Sequence, residues 1–273
     1  LKDQEYWIER IGNITANVYN DIESRSAILT GYYSDAYAEI ISLIGALYAK
    51  HSKQGELTYQ EMSKYHRMVT LESQVRDIIN GLGQTEIEAN EDFLIDAYEQ
   101  TFESINEFYK GIGLKSNLIK INKKAIEKVI YYPWSGADFS SRIWNNKTAL
   151  INGLRETLVR GFIQGQSIDV MSRNLENKLN SAMRDTKRVI RTESAHVINQ
   201  ASMDSYIQLG LKQVIWLTRQ DERTCEECGP LDNEKMTMDS GLLKYKGNFI
   251  SNPYHPNCRC AVAPYSKEIN KYL

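Results

Sequence analysis

Cys225-Glu-Glu-Cys228 and His255-Pro-Asn-Cys258-Arg-Cys260 hold all four cysteines of the chain, in its last fifth. A CxxC turn, a gap of 26 residues and an HxxCxC cluster supply five sulfur and imidazole donors with metal-site spacing. These are the donors that hold Zn²⁺ in a tetrahedron. Cys225 and Cys228 form one pair, because a CxxC turn delivers two thiolates to one ion. The second pair comes from His255, Cys258 and Cys260. The leading set is Cys225, Cys228, His255 and Cys258, with Cys260 as the substitute and an all-cysteine site as a tighter arrangement. A closed four-donor site is structural, whereas catalytic zinc keeps one position open for water. Two disulfides or a redox CxxC are the competing readings. A redox CxxC opens a helix in a βαβ pattern, and the turn residues around Pro230 do not make one. Thiols confined to one metal-type cluster fit a reducing compartment.

Working outward, the run Gln213-Val-Ile-Trp-Leu-Thr218 is β-branched and aromatic and predicts a strand leading into Asp221. Residues 234–238 predict a second short strand. Upstream, a helix over 182–209 ends at Gly210, a natural C-cap. It carries Arg191, Glu193 and His196. Glu193 and His196 stand three apart on one face, half of a dimetal carboxylate site, but such sites need two copies and the chain has one. An intrahelical pair, or a buried Glu193 bonded to an arginine, is the simpler reading. The cysteine cluster is expected to staple the turn-rich end onto this helix.

Further upstream, residues 1–132 contain no proline. Tyr37, Ile40, Ile44 and Leu47 make one helical apolar stripe. Thr58 with Glu61, and Thr85 with Glu88, are capping-box patterns. Gly55, Gly81 and Gly83 read as breaks between helices. The abundant tyrosines read first as core-edge residues and second as an interaction surface. Tyr131-Tyr-Pro-Trp-Ser-Gly-Ala-Asp138 interrupts the pattern and marks a boundary. A helix over 139–164 follows, then one capped by Ser167. The expected fold is mainly α: an N-terminal long-helix bundle or hairpin over 1–132, then a helical module over 133–273 with a small α+β, metal-clamped C-terminal part.

The charged and hydrophobic fractions, 25% and 42%, are those of a folded globular chain. No apolar stretch approaches the roughly 20 residues of a membrane span, so no membrane anchor is expected. The net charge of −2 hides an asymmetry. Residues 1–110 hold 9 Lys+Arg against 19 Asp+Glu, and residues 111–273 hold 24 against 16. The second part permits contact with nucleic acid and the first repels it. The sequence carries no Walker P-loop, GxGxxG or HExxH, and lacks the upstream H-x-E of a zinc deaminase.

The combination of Arg191-Thr-Glu193, Trp216, Asp221-Glu-Arg223-Thr-Cys225-x-x-Cys228, Leu231-Asp232 and His255-Pro-Asn-Cys-Arg-Cys260 resembles the phage Mu F-like family. These are minor head, or head-morphogenesis, proteins of tailed bacteriophages. Pro133-Trp-Ser with Phe139-Ser-Ser-Arg-Ile-Trp144, and Gly161-Phe-Ile-Gln-Gly165-Gln-Ser167, resemble the family's upstream helices. Tyr6-Trp7-Ile-Glu-Arg10 resembles the start common in versions from Gram-positive hosts. Asn233-Glu234 departs from the glycine often found after Leu-Asp.

The resemblance implies a non-enzymatic virion component in the capsid interior near the portal, present in the host cytoplasm during assembly. Its implied partners are portal protein, major capsid or scaffolding protein, and packaged double-stranded DNA. The donor pattern itself implies a structural zinc. Some relatives carry C-terminal toxin domains; with 13 residues after Cys260, none is expected here. The alternative is a zinc-dependent hydrolase acting during DNA injection or capsid maturation, with Glu193 or Asp221 as general base.

Overall fold

A computed structural model describes residues 3–114, 123–239 and 241–271. Eight helices and five strands occur among them: α1 (Gln4–Arg25), α2 (Ile28–His51), α3 (Tyr59–Ser63), α4 (Arg67–Gly111), α5 (Lys123–Ile130), α6 (Phe139–Ile163), α7 (Ile168–Gln208), β1 (Gln213–Leu217), β2 (Lys235–Asp239), β3 (Leu242–Tyr245), β4 (Asn248–Ile250), β5 (Ala261–Pro264) and α8 (Ser266–Ile269). The molecule is mainly helical, with long helices in its N-terminal part and a small antiparallel sheet near its end. None of the described helices is long and apolar enough to cross a membrane.

Two expected breaks are absent. Gly81 and Gly83 lie inside α4, which runs 45 residues without interruption. Glycine lowers helix propensity by about 1 kcal/mol but does not end a helix that packing supports. At Gly83 the packing reason is visible: a Cβ there meets Trp144 at 3.0 Å and Lys147 Cγ at 3.1 Å. The glycine lets α6 approach closely. Thr85 is therefore mid-helix, and its hydroxyl donates to the Gly81 carbonyl at 3.1 Å instead of capping. Likewise, 168–181 and 182–208 form one 41-residue helix rather than two. Other boundaries match. Thr58 caps α3 by accepting from the Glu61 N–H at 3.4 Å. Gly210, at φ +77°, ends α7, and the Leu211 N–H reaches back to the Tyr206 carbonyl at 3.0 Å.

The residues pack as two compact units, each drawn from separate stretches: 26–89 with 140–187, and 1–25 with 90–139 and 188–273. The first is all helical. Its core includes Ile40 and Ile44 of the apolar stripe, with Tyr37 and Leu47 partly buried against it. Within it lies a polar cluster on four helices. Lys147 is fully buried and donates to Glu86 Oε1 at 2.6 Å and to the Tyr33 hydroxyl. Thr186 completes it, donating to Glu86 Oε2 at 3.1 Å.

The second unit contains the sheet, in the order β4-β3-β2-β1-β5, all antiparallel. Strand β1, paired on both sides, buries Val214, Ile215 and Trp216 in succession. Its partner β5 is buried along its whole length, with Trp216 opposite Val262. α1 seals this strand. The Gln4 carboxamide donates to the Pro264 carbonyl at 3.1 Å and accepts from the Ser266 N–H at 2.8 Å. Trp7 and Ile11 of α1 join Tyr109 of α4 and Tyr206 of α7 in one apolar core. That core extends to Cys228, Cys258 and Cys260, so the thiol cluster is anchored against packed side chains.

Candidate metal centre

The two cysteine-bearing segments meet beside β1 and β5. The loop after β1 carries Cys225 and Cys228, and the segment before β5 carries His255, Cys258 and Cys260. Cys225, Cys228 and His255 place their donor atoms within 4.8 Å of one another, as do Cys228, Cys258 and Cys260. Cys228 belongs to both groups. Cys225 Sγ lies 3.0 Å and Cys228 Sγ 3.3 Å from His255 Nε2, and Cys228 Sγ lies 3.8 Å from Cys258 Sγ. A tetrahedron on Zn–S bonds of about 2.3 Å and Zn–N bonds of about 2.0 Å has S···S edges of about 3.8 Å and S···N edges of about 3.5 Å. The Cys228–Cys258 separation matches such an S···S edge, the two S···N separations are shorter than theirs, and the donors fall into two groups of three that could hold a metal ion.

The surrounding hydrogen bonds fit the same purpose. His255 Nδ1 lies 2.8 Å from the Pro256 carbonyl, which can only accept. Nδ1 therefore carries the proton and Nε2 presents its lone pair to the thiols, the tautomer in which a histidine can bind a metal through Nε2. The Cys228 N–H donates to Cys225 Sγ at 3.2 Å. Burial disfavours the Cys225 thiolate, but this N–H and its neighbours outweigh it and lower the thiol's pKa. Hydrogen bonding from Cys260 holds Cys258 down at about 5 against its own burial. The bond to Cys258 and burial push Cys260 up. Desolvation first, then the Cys258 charge, raise Cys228. Metal binding requires the deprotonated ligands, so Cys258 is the readiest donor of the set.

Asp221 and Arg259 tie the two segments together. The guanidinium donates to both carboxylate oxygens at 2.6 Å. The Arg223 N–H adds a bond to Asp221 Oδ1 at 2.9 Å. The arginine first, then this N–H, hold the Asp221 carboxyl far below the usual carboxylate range. Arg223 thus acts in the site through its backbone. Thr218 braces the CxxC turn, donating to the Cys228 carbonyl at 2.8 Å, and Trp216 Nε1 donates to Thr218 at 3.2 Å. Asp232 accepts from the Thr218 N–H at 2.8 Å.

The His/Cys segment is attached to α7, as expected, by hydrogen bonds. Asn199 donates to the Cys260 carbonyl at 2.9 Å, and the Asn257 N–H donates to Thr192 Oγ1 at 3.0 Å. Arg191 instead pairs with Glu23 of α1. Glu193 is buried, and its Oε2 accepts from Trp134 Nε1 at 2.8 Å. His196 stacks on the same indole, with ring centroids 4.8 Å apart and planes 14° apart. These engagements do not favour the hydrolase reading: Asp221 is clamped by an arginine and Glu193 is built into an aromatic contact.

Arg259, Thr192, Thr218 and Asn199 were not singled out by the sequence. Arg259 had a signal, standing between two candidate ligands. Thr192 and Asn199 had none, because their partners lie 65 and 61 residues away.

Residues 152–263 match the family described as Phage Mu protein F like protein, and the resemblance seen in the sequence holds over that segment. Over 267 residues the chain is 22% identical to Minor head protein GP7 of Bacillus phage SPP1, covering 93% of this chain and 85% of the relative. No solved structure matches the chain.

Proposed function

We propose that this chain, a phage Mu F-like protein in residues 152–263, is a structural minor head protein that acts at the portal vertex and procapsid interior during head assembly. The observation that carries the reading is similarity to a minor head protein along nearly the whole chain, not over the cysteine module alone. Residues 133–273 are the proposed Mu F-like part and residues 1–132 the helical part that precedes it. Cys225, Cys228, His255 and Cys258 are the proposed zinc ligands, with Cys260 as the substitute. The burial of Cys228, Cys258 and Cys260 and their packing against the core support a structural ion. A bound zinc joins the loop after β1 to the segment before β5, while Arg259 and Asp221 hold the same two segments from outside. The basic excess of residues 111–273 supports contact with packaged DNA as a secondary role. Portal protein is the proposed first partner. Co-expression of the two from the same phage, followed by affinity purification, is expected to recover a complex. Recovery of the chain without portal protein overturns the portal reading.

A further inference from the structure

A zinc tetrahedron takes four donors, and with Cys225, Cys228, His255 and Cys258 assigned to it, Cys260 is left over. That thiol does not stand apart from the others. Cys260 is 3% exposed and shares one apolar core with Cys228 and Cys258, each 2% exposed. Its Sγ lies within 4.8 Å of both of theirs.

The described donors group in threes rather than in a four, and Cys228 belongs to both groups. In the outer group Cys225 and His255 are half-buried, whereas Cys228, Cys258 and Cys260 form an inner group that is buried throughout. A thiolate sulfur has lone pairs enough to bridge two cations. Cys228 Sγ and Cys258 Sγ stand 3.8 Å apart, the S···S edge of a tetrahedron built on Zn–S bonds of about 2.3 Å. Two tetrahedra can share that edge. Cys225 and His255 complete the one, and Cys260 brings a third sulfur to the other.

A fourth donor for the inner group is also in place. The Cys260 thiol donates to Thr218 Oγ1 at 3.8 Å. The Thr218 hydroxyl gives its own hydrogen to the Cys228 carbonyl at 2.8 Å, so its oxygen turns a lone pair towards Cys260. Zn–S and Zn–O bonds of about 2.3 and 2.1 Å give an S···O edge of about 3.6 Å, close to that separation. An ion in the place of the thiol hydrogen therefore meets three sulfurs and an oxygen. Charge favours a second cation as well. Four thiolates around one divalent ion leave two negative charges in a buried site, and a second divalent ion balances them. The Arg259 guanidinium is engaged elsewhere, bonded to both Asp221 carboxylate oxygens.

On the basis of the zinc site proposed above, we infer that the cluster holds a second cation site, made by Cys228, Cys258 and Cys260 with Thr218 Oγ1, for a divalent ion of the zinc class. The two ions share Cys228 and Cys258. The second site is the weaker, because two of its sulfurs are shared and its oxygen is a neutral hydroxyl. It fills after the first, when metal is supplied.

The test adds ¹¹³Cd²⁺, a zinc-like probe, to the full chain under a reductant that does not bind metal. Bound metal is counted after desalting, and each ion is observed by ¹¹³Cd NMR. Two equivalents are expected, giving two resonances, each split by coupling to the other ion through the shared sulfurs. Cys260→Ser is expected to stop at one equivalent with a single unsplit resonance, which also reports that the variant has kept the first site. Saturation of the parent at one equivalent overturns the inference and leaves the zinc site standing. Two unsplit resonances overturn it, because such ions share no sulfur. So does a folded Cys260→Ser chain that binds two ions, or one that loses the first. If circular dichroism shows that variant unfolded, the splitting in the parent decides. Absence of any bound metal removes the zinc site and this second site together.

Discussion

The imidazole of His196 is 8% exposed and lies flat against the Trp134 indole. Its charged form would exchange water for an apolar wall. Burial, against the opposing hydrogen bond to the Asn252 backbone, pushes its pKa from 6.5 down to about 4. The sign of the consequence follows from linkage. Between these values the unfolded chain binds a proton that the folded chain does not. Stability is therefore full above pH 6.5 and falls as the pH drops towards 4, by about 3 kcal/mol at the lower limit. Replacing His196 by Phe keeps a ring against Trp134 and removes the proton site. Urea unfolding of both proteins at pH 7 and pH 4 is expected to show the extra loss in the parent alone. A variant that loses as much as the parent places the acid sensitivity elsewhere. The position of His196 on a helix was legible from the sequence. Its stacking was not, because Trp134 belongs to an irregular turn 62 residues earlier, with no period to place it.

Helices of this length bring their own requirement: 45 and 41 residues must find partners along their whole extent. Apolar stripes meet this for most of α2, α4, α6 and α7. The cluster of Lys147, Glu86, Tyr33 and Thr186 is the exception, a charge pair sealed among four helices. Desolvation pushes the Lys147 ammonium down in pKa, and Glu86 opposes that shift. Such a pair adds little net stability over an apolar filling, yet breaking it strands a buried charge. Lys147→Met alone is expected to cost about 3–5 kcal/mol. Lys147→Met combined with Glu86→Gln is expected to recover most of that loss. Thermal and urea melts of the two variants check this, and equal destabilisation by both contradicts it. Helix existence was readable from periodicity, and the Thr58 cap from its residue type. The continuity of α4 through Gly81 and Gly83 was not. A glycine that permits close approach and one that ends a helix are the same letter, and only the position of Trp144 separates them.

Across the molecule, the C-terminal sheet is small and its loops are long, so the ends of β1 and β5 depend on the thiol cluster and the Arg259–Asp221 pair. The purified chain is expected to carry about one zinc, released by thiol modification and measured with a metallochromic dye. Cys225→Ser and Cys258→Ser are each expected to lose the metal and roughly several kcal/mol of stability, since metal binding contributes directly to folding. Cys260→Ser is expected to retain it. Loss of zinc in Cys260→Ser with retention in His255→Ala exchanges the fourth ligand for Cys260. The sequence alone determined whatever depends on near neighbours and residue chemistry. That covers five candidate metal donors in two short segments, the amphipathic helices, two of the five strands and the turn at Tyr131–Asp138. It also determined the family resemblance, which is a statement about linear order. Tertiary structure alone decided which stretches share a unit, because each core collects apolar faces from distant parts of the chain. It also placed Thr192 and Asn199 of α7 against the His/Cys segment. Hydrogen bonds between residues 60 or more positions apart leave no spacing in the sequence, and only the packed chain brings their donors and acceptors within reach.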